Sequence, residues 1–527
     1  MSHWAAVPFL LPAATAAVLL LLSGHLRWQR VVSVLSSLTL GALTAALAWR
    51  VSAAPAEVYA FGDWPARIGI VLVLDRLSAM MICLTAAVAV PSILYATRGW
   101  DARGRHFHAL FHFQWMGLNG AFLTGDLFNL FVCFELMLIA SYALLVHGAG
   151  AARLKAGLHY VVLNLIGSAM FLVAASVLYR VGGTLNMADL AVALTNAPVG
   201  DAPWIRTGAW ILVAVFLLKG AVVPLHLWLP ATYGAASPPV AAIFCVLTKV
   251  GAYAILRVGG TVFGWSPAMA GLEAVVLPLA LITLGLAAIG GLAANSLSTL
   301  VAWLALASSA SVLVGVGTFS VSGAAGGVFY AVPSTLALAG LFLLADHVGD
   351  ARGPQFRDML CRAPRMRGST SLSVWFFVLA ISVAGLPPLA AFLGKAMILS
   401  ALRQSPGLWL VVLGASLLTV VALARAGSRL FWATDEGAAE EDAGAAQGWA
   451  LAPVALLALA ILVVTAGAGS LDRFARAAAA DALVPASYLQ AVLGPANLRW
   501  RVEIDAVPPA GTVDPGAGRT PVGGGRP

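Results

Sequence analysis

LFNLFVCFELMLIASYALL, residues 127–145, decides the fold class. At about 1.5 Å per residue it nearly crosses a hydrocarbon core of roughly 30 Å. It is apolar in every turn, yet it carries one acid, Glu135, near its centre. A β-barrel would instead show alternating segments of about ten residues. Comparable continuous runs, rich in Leu and Ala, lie near 5–23, 31–49, 70–97, 107–124, 126–148, 158–180, 206–229, 238–258, 271–293, 297–318, 324–346, 372–401, 408–432 and 449–467. The expectation is an all-α, polytopic membrane protein with about fourteen transmembrane helices.

Composition points the same way. Of 527 residues, 61% are hydrophobic and 10% charged, against about 25% charged in soluble domains; the mean hydropathy is +0.93. Soluble enzymes, disulfide scaffolds and disordered chains are excluded, and a multi-pass place in the cell inner (plasma) membrane is expected. The run at 4–22 lacks a basic flank and an A-x-A site and reads as a retained first helix. Cys83, Cys133, Cys245 and Cys361 show no CxxC or zinc spacing, so no redox cofactor or metal is expected. The net charge of +8 is not gathered into a basic block, so no nucleic-acid partner is expected.

The basic residues set orientation. Fourteen fall in alternate loops taken as inside: Arg27, Arg30, Arg98, Arg103, Arg105, Arg153, Lys155, Arg352, Arg357, Arg362, Arg365, Arg367, Arg425 and Arg429. Six fall outside: Arg50, Arg67, Arg180, Arg206, Arg257 and Arg403. Both termini are therefore expected outside, with the loop 347–370 at the inner headgroups. Residues 435–447 read as an acidic linker, 471–493 as a helix on the membrane or a neighbouring subunit, and the chain from about 503 as disordered.

Few charges remain at depth: Glu135, Lys219, Lys249 and, after a helix break, Lys395; Asp75 and Asp126 lie nearer helix ends. A central charge costs roughly 2.5–3.5 kcal/mol on insertion scales, so such residues point to function. The short Glu135 side chain cannot snorkel from mid-helix, and three lysines outnumber one glutamate, so static pairing does not account for them all. Proton transfer is the chemistry they allow. Gly220 and Pro224 follow Lys219, and Gly385, Pro387 and Pro388 precede Lys395. Proline frees backbone groups that lipid cannot satisfy, so these breaks are expected to line a protein or water cavity. One broken helix in each half is the pattern of inverted repeats, here helices four to eight and nine to thirteen.

The segments 122–145, 217–257 and GLPPLAAFLGK (385–395) resemble the antiporter-like subunits shared by respiratory complex I and Mrp antiporters. GDLFNLF (125–131) is more similar to the D-type subunit of the Mrp (Mnh, Pha) multisubunit Na+/H+ antiporters. The resemblance covers roughly 70–430. It implies that Glu135 modulates Lys219 on the first broken helix, that Lys249 is the relay lysine of the next helix, and that Lys395 belongs to the second broken helix. It places His226, in VPLHLWLP, near the water-filled break. There are departures: the family's Lys-Arg pair is replaced by Ser298 and Thr299, and Pro333 and Leu338 stand where a His and a Lys are common. The link from Lys249 to Lys395 would then rest on water and the hydroxyls of Ser308, Ser309, Ser334 and Thr335. His108 and His112 share a helical face, as metal ligands can, but no acid is in register; they are read as interfacial.

The expected organisation is 1–105 for helices one to three, 106–260 and 261–433 for the two repeats, 434–470 for the acidic loop and last helix, and 471–527 for the tail. The resemblance implies a non-enzymatic membrane subunit that exchanges protons for Na+ or another monovalent cation, with the other antiporter subunits and the lipid bilayer as partners. Two alternatives stay open: a proton-pumping subunit of an NADH–quinone or membrane-bound hydrogenase system, and a non-transporting scaffold.

Overall fold

The protein is described by a computed structural model covering residues 3–264, 266, 271–364, 366, 368–435 and 448–494. Most of the acidic linker (436–447), Arg365, Arg367 and the tail beyond 494 lie outside the described residues.

The first six long helices are α1 (Val7–Leu21), α2 (Leu26–Ser52), α3 (Arg76–Ala96), α4 (Phe107–Leu123), α5 (Leu127–Leu145) and α6 (Ala151–Gly182). A short α7 (Met187–Thr195) leads to α8 (Ala202–Lys219), α9 (Trp228–Ala235) and α10 (Pro238–Thr261). Then come α11 (Glu273–Ala293), α12 (Leu297–Val316), α13 (Val321–Phe356), α14 (Ser369–Ala384), α15 (Ala390–Ala401) and α16 (Pro406–Gly427). The last three are α17 (Ala452–Ala466), α18 (Ala468–Leu483) and α19 (Ala486–Leu493). This is a helical, multi-pass membrane fold. Among the described residues ten helices are long and apolar enough to cross a bilayer alone: α2, α3, α5, α6, α8, α10, α11, α12, α13 and α16. α17 and α18 qualify as a pair bent by 81°. The remaining apolar runs read from the sequence fall on α1, α4 and the interrupted pair α14–α15.

The sequence marks the helix starts. Asp75 and Ser78 form a reciprocal capping box on α3, Asp126 caps α5 through the Asn129 N–H at 2.8 Å, and Ser296 caps α12; each satisfies donors that lipid could not. The run at 70–97 is not one helix. Val71–Leu74 is strand β2, paired antiparallel with β1 (Glu57–Ala60), before Asp75 starts α3.

α10, α12 and α13 form the centre: the spans of α10 and α13 are wholly buried, whereas α2 and α16 turn broad apolar faces outward. α10 approaches α8 backbone to backbone. A Cβ on Gly251 would lie 2.4 Å from the Gly220 nitrogen. Gly251→Ala is therefore expected to destabilise the protein by about 1–3 kcal/mol, seen as a lower unfolding midpoint of the detergent-purified complex; an unchanged midpoint would show that this approach is loose.

A local arrangement recurs in the two halves. Leu127 N–H donates to Leu185 O and Met187 N–H to Gly125 O; in the second half Leu297 N–H donates to Asp358 O and Leu360 N–H to Asn295 O. Each time the capped start of a helix (α5, α12) bridges to the segment that follows the next long helix (α6, α13).

Four placements differ from the sequence reading. Arg257 is not a loop residue but lies within α10 at 2% exposure, paired with Asp75, because a single buried carboxylate neutralises it. The loop expected at 347–370 begins as the end of α13, and Arg352 there holds the carbonyls of Arg357, Met359 and Cys361. α18 packs on this chain's own α3, α10 and α13, its small face of Ala475, Ala478, Ala479 and Ala482 buried, with Arg76 paired to Asp481 at 2.8 Å. His108 and His112, expected at the interface, are fully buried within the protein where α4 meets Ser33 of α2.

The histidines do have an acid. Asp101 accepts from Arg30 at 2.6 and 2.8 Å and lies 3.1 Å from His108 Nε2, and Ser33 Oγ sits between His108 Nδ1 (3.0 Å) and His112 Nε2 (3.1 Å). Burial alone would raise the Asp101 carboxyl, but the hydrogen bonds from Arg30 and His108 outweigh it and hold the pKa at about 2. With a depressed native pKa, its stabilisation is complete above about pH 4 and fades as pH falls toward 2. Asp101→Asn is expected to flatten the acid limb of a stability-versus-pH curve over that window; an unaltered limb would contradict the assignment.

Candidate functional site

The deep charges and the polar groups around them fall on helices that pack side by side, α5, α6, α8, α10, α12, α13 and α15. At one end, Glu135 sits on α5 between Val132 and Ile139, both on its exposed face, and is itself partly exposed. Across from it, α6 presents Tyr160, Asn164 and Ser168 at four-residue spacing, hence on one face. Ser168 Oγ donates to Glu135 Oε1 and also reaches the Asn164 carbonyl at 2.9 Å. A hydroxyl has one proton to give, so Ser168 chooses between them. Asn164 Oδ1 accepts from Lys219 Nζ at 3.1 Å, and its Nδ2 donates to Tyr160 O. Ser168 and Asn164 thus lie between Glu135 and Lys219, which form no direct ion pair among the described residues.

Lys219 is 4% exposed and is the last residue of α8. The chain then breaks over Gly220–Leu227 before α9 resumes. Pro224 has no N–H, and the freed backbone groups are met by protein: Gly220 O accepts from Ser309 Oγ at 3.0 Å, and Val223 N–H donates to Thr283 Oγ1 at 3.0 Å. Ser309 thus holds the break and does not contact a lysine. His226 lies within the break, partly exposed, with Nδ1 unpartnered.

Lys249, 1% exposed on α10, donates to Ser308 Oγ at 3.0 Å; Ser308 donates to Ser334 Oγ at 3.0 Å, and Ser334 to Tyr330 O at 2.6 Å. Ser308 and Ser309 are neighbours on α12, so one turn touches both the α8 break and Lys249. Thr335 does not join; its hydroxyl is buried without a partner. Beyond Ser308, a cavity with about 10 Å³ for water centres is bounded by Ser308, Ser311, Tyr330, Lys395, Ser416 and Thr419 among others, room for about one water.

Lys395 stands on α15, just after the second break. Its Nζ donates to Ala384 O, the last carbonyl of α14, at 2.8 Å and to Ser416 Oγ at 3.1 Å. Gly385 is needed here: its φ is +67°, and a Cβ would come within 2.7 Å of the Lys395 Cδ. Pro387 and Pro388 follow before α15 begins. Like Glu135, Lys395 is partly exposed, beside the outward Phe392 and Leu393. The structure thus brings Glu135, Lys219, Lys249, Lys395, Ser308 and Ser334 into one row and assigns Ser309 to the break. It adds Asn164, Ser168, Thr283 and Ser416, neutral residues that a search for charges passes over; the Tyr160–Asn164–Ser168 spacing was the available signal for the first two.

Among the described residues no group of three or more His, Cys, Asp or Glu could hold a metal ion. Chemically, the row offers exchangeable protons and lone pairs, with room for water at its gap.

Residues 124–421 match the family described as NADH:quinone oxidoreductase/Mrp antiporter, TM. The D-type subunit of a probable K(+)/H(+) antiporter of Rhizobium meliloti is 37% identical, over 94% of this chain and 98% of its own. The D-type subunit of the Na(+)/H(+) antiporter of Alkalihalophilus pseudofirmus is 33% identical, over 94% of this chain and all of its own. A chain of the Mrp complex of Dietzia sp. superposes with a TM-score of 0.82 at 26% identity, covering 94% of this chain and 100% of that one. A chain of respiratory complex I from Thermus thermophilus shares the fold, with a TM-score of 0.78 at 24% identity over 93% of this chain and 100% of that one.

Proposed function

The chain belongs to the NADH:quinone oxidoreductase/Mrp antiporter membrane family, and we propose that it is the D-type subunit of a multisubunit antiporter exchanging a monovalent cation, Na+ or K+, for protons. In bacteria its place is the plasma membrane, and its partners are the other subunits of the complex. In this reading the chain makes fourteen crossings, and α4–α10 and α11–α16 are two inverted repeats; the recurring bridges at the starts of α5 and α12 support this. Protons pass along Glu135, Lys219, Lys249 and Lys395, with Ser168, Asn164, Ser308 and Ser334 between them and His226 at the water-lined break. The enzyme activity of a redox complex, where one exists, would lie in other subunits.

One observation carries the proposal: the deep lysines are held by neutral side chains. A serine hydroxyl accepts from an ammonium and donates to an amine, and a turned amide does the same. The contacts therefore survive either protonation state, and a lysine can gain and lose its proton without dismantling the row. Partly exposed Glu135 and Lys395 cannot face hydrocarbon cheaply, which supports a neighbouring subunit over each end.

Asn164→Ala and Ser168→Ala are expected to slow exchange about tenfold each, the scale of one lost hydrogen bond. The assay uses everted vesicles holding the whole complex, a pH-sensitive dye and added NaCl or KCl. Wild-type rates in both variants would remove the Glu135–Lys219 link. A proton-pumping role in a redox complex is the second reading, favoured by the fold shared with complex I; pumping that requires a reduced donor and ignores the cation would establish it. If Lys249→Ala and Lys395→Ala left exchange unchanged while loss of the chain dissolved the complex, the chain would be a scaffold.

A further inference from the structure

Lys249, Tyr253 and Arg257 follow at four-residue spacing and form one row along α10, about 12 Å long. All three are buried. The row runs from the middle of the polar path to the face where α10 ends and α3 begins, opposite the basic loops, and there it is shut. Arg257 Nη1 and Nη2 lie 2.6 and 2.7 Å from the two carboxylate oxygens of Asp75. Arg257 Nε donates to the Tyr253 hydroxyl at 3.2 Å, and Tyr253 donates to Phe122 O at 2.6 Å.

Over this pair lies Tyr488 of α19, its ring centroid 5.1 Å from the guanidinium carbon. Tyr488 is 2% exposed, and its hydroxyl has no partner. The hydroxyl rests where Gly125 leaves space; a Cβ there would come within 3.0 Å of it. Arg76 with Asp481, and Thr261 with Ala482 O, fasten the end of α18 and so the strap carrying Tyr488.

A cavity lies on each side of the closure. The deep one, about 20 Å³, is bounded by Lys249, Ala252, Tyr253 and Leu256 of α10 and by Leu77 and Met81 of α3. The other, about 50 Å³, is bounded by Asp75, Arg76, Asp481, Ser487 and Tyr488 and reaches exposed Pro55. The outer cavity has room for at least one water, while the deep one is lined by apolar side chains apart from Lys249 and Tyr253; Tyr253 lines the deep cavity and accepts from Arg257, whose partner Asp75 and neighbour Tyr488 line the outer one.

We infer that Lys249 has its own water access from the face where α10 ends, and that the Arg257–Asp75 pair beneath Tyr488 is the gate of that access. The C-terminal strap covers the gate: α19 lays Tyr488 over Arg257, and α18 is tied down by Arg76–Asp481 and Thr261–Ala482.

The inference rests on Lys249 belonging to the proton path, and the test separates the two. In a chain with Cys83, Cys133, Cys245 and Cys361 replaced, Leu256→Cys reports on the deep cavity within the assembled complex. A membrane-impermeant methanethiosulfonate added outside intact cells should leave it unmodified when Tyr488 is present or is changed to Phe. With Tyr488→Ala, modification should run at least tenfold faster. A second arm keeps the native cysteines: Tyr488→Ala should raise cation-independent proton leak in vesicles severalfold, and Lys249→Met in the same chain should remove it. Immunoblots of the complex check that the variants assemble. An unchanged Leu256→Cys rate in assembled Tyr488→Ala complex overturns the gate, as does acceleration from the basic face alone. A leak that persists with Lys249→Met, alongside faster labelling, leaves the passage standing and refutes the lysine's part.

Discussion

Lys219→Ala is expected to reduce cation-dependent proton exchange to the background of vesicles lacking the complex, with assembly unaffected, and Glu135→Gln is expected to do nearly the same. Lys219 ends α8 at the break, buried, with Asn164 as its hydrogen-bonded side-chain partner. Alanine leaves the helix intact, because Gly220 and Pro224 set the break and Ser309 and Thr283 hold it. What disappears is the group able to carry charge between Asn164 and the neighbouring turn of α12. Glu135→Gln keeps size and hydrogen bonding but loses the negative charge beside Ser168. The pair is read from dye recovery on adding NaCl or KCl. Full exchange in either variant, with normal complex abundance, would place the proton path outside this row.

The largest expected loss of stability is at the buried Arg257–Asp75 ion pair. Arg257 and Asp75 are 2% and 3% exposed. Arg257→Met leaves a carboxylate buried without its counter-charge, and breaking such a pair from one side costs about 3–5 kcal/mol. Asp75→Asn combined with Arg257→Met should recover most of that, because a buried pair replaced on both sides is close to neutral. Unfolding midpoints of the purified complex decide the matter. A single variant as stable as wild type, or a double variant no better than the single, would show that the pair is not dry.

The sequence was readable where a rule has few exceptions. Lipid offers no hydrogen bonds, so long apolar runs had to be helices, and Gly220–Pro224 and Gly385–Pro388 had to be breaks between α8 and α9 and between α14 and α15. The deep charges were legible because each is costly. What escaped was whatever depends on partners. Whether Arg257 lies in a loop or within α10 turns on Asp75, far away in sequence. His108 seemed to lack an acid because Asp101 sits in the short turn before α4 and not on the helix itself. Ser309 and Ser308 are indistinguishable as letters, yet one faces the α8 break and the other faces Lys249. Asn164 and Ser168 carry no charge, so their joining of Glu135 to Lys219 became visible only once α5, α6 and α8 were packed together.

In the proposed function protons move through this chain in exchange for a cation, with no redox reaction supplying the energy. The most direct measurement imposes a proton gradient on everted vesicles containing the complete complex, without NADH or hydrogen, and then adds NaCl, KCl or choline chloride. Immediate collapse of the gradient is expected with Na+ or K+, none with choline, and none in Lys219→Ala vesicles. A gradient indifferent to both cations, with proton movement appearing only when a reduced donor is supplied, would contradict it.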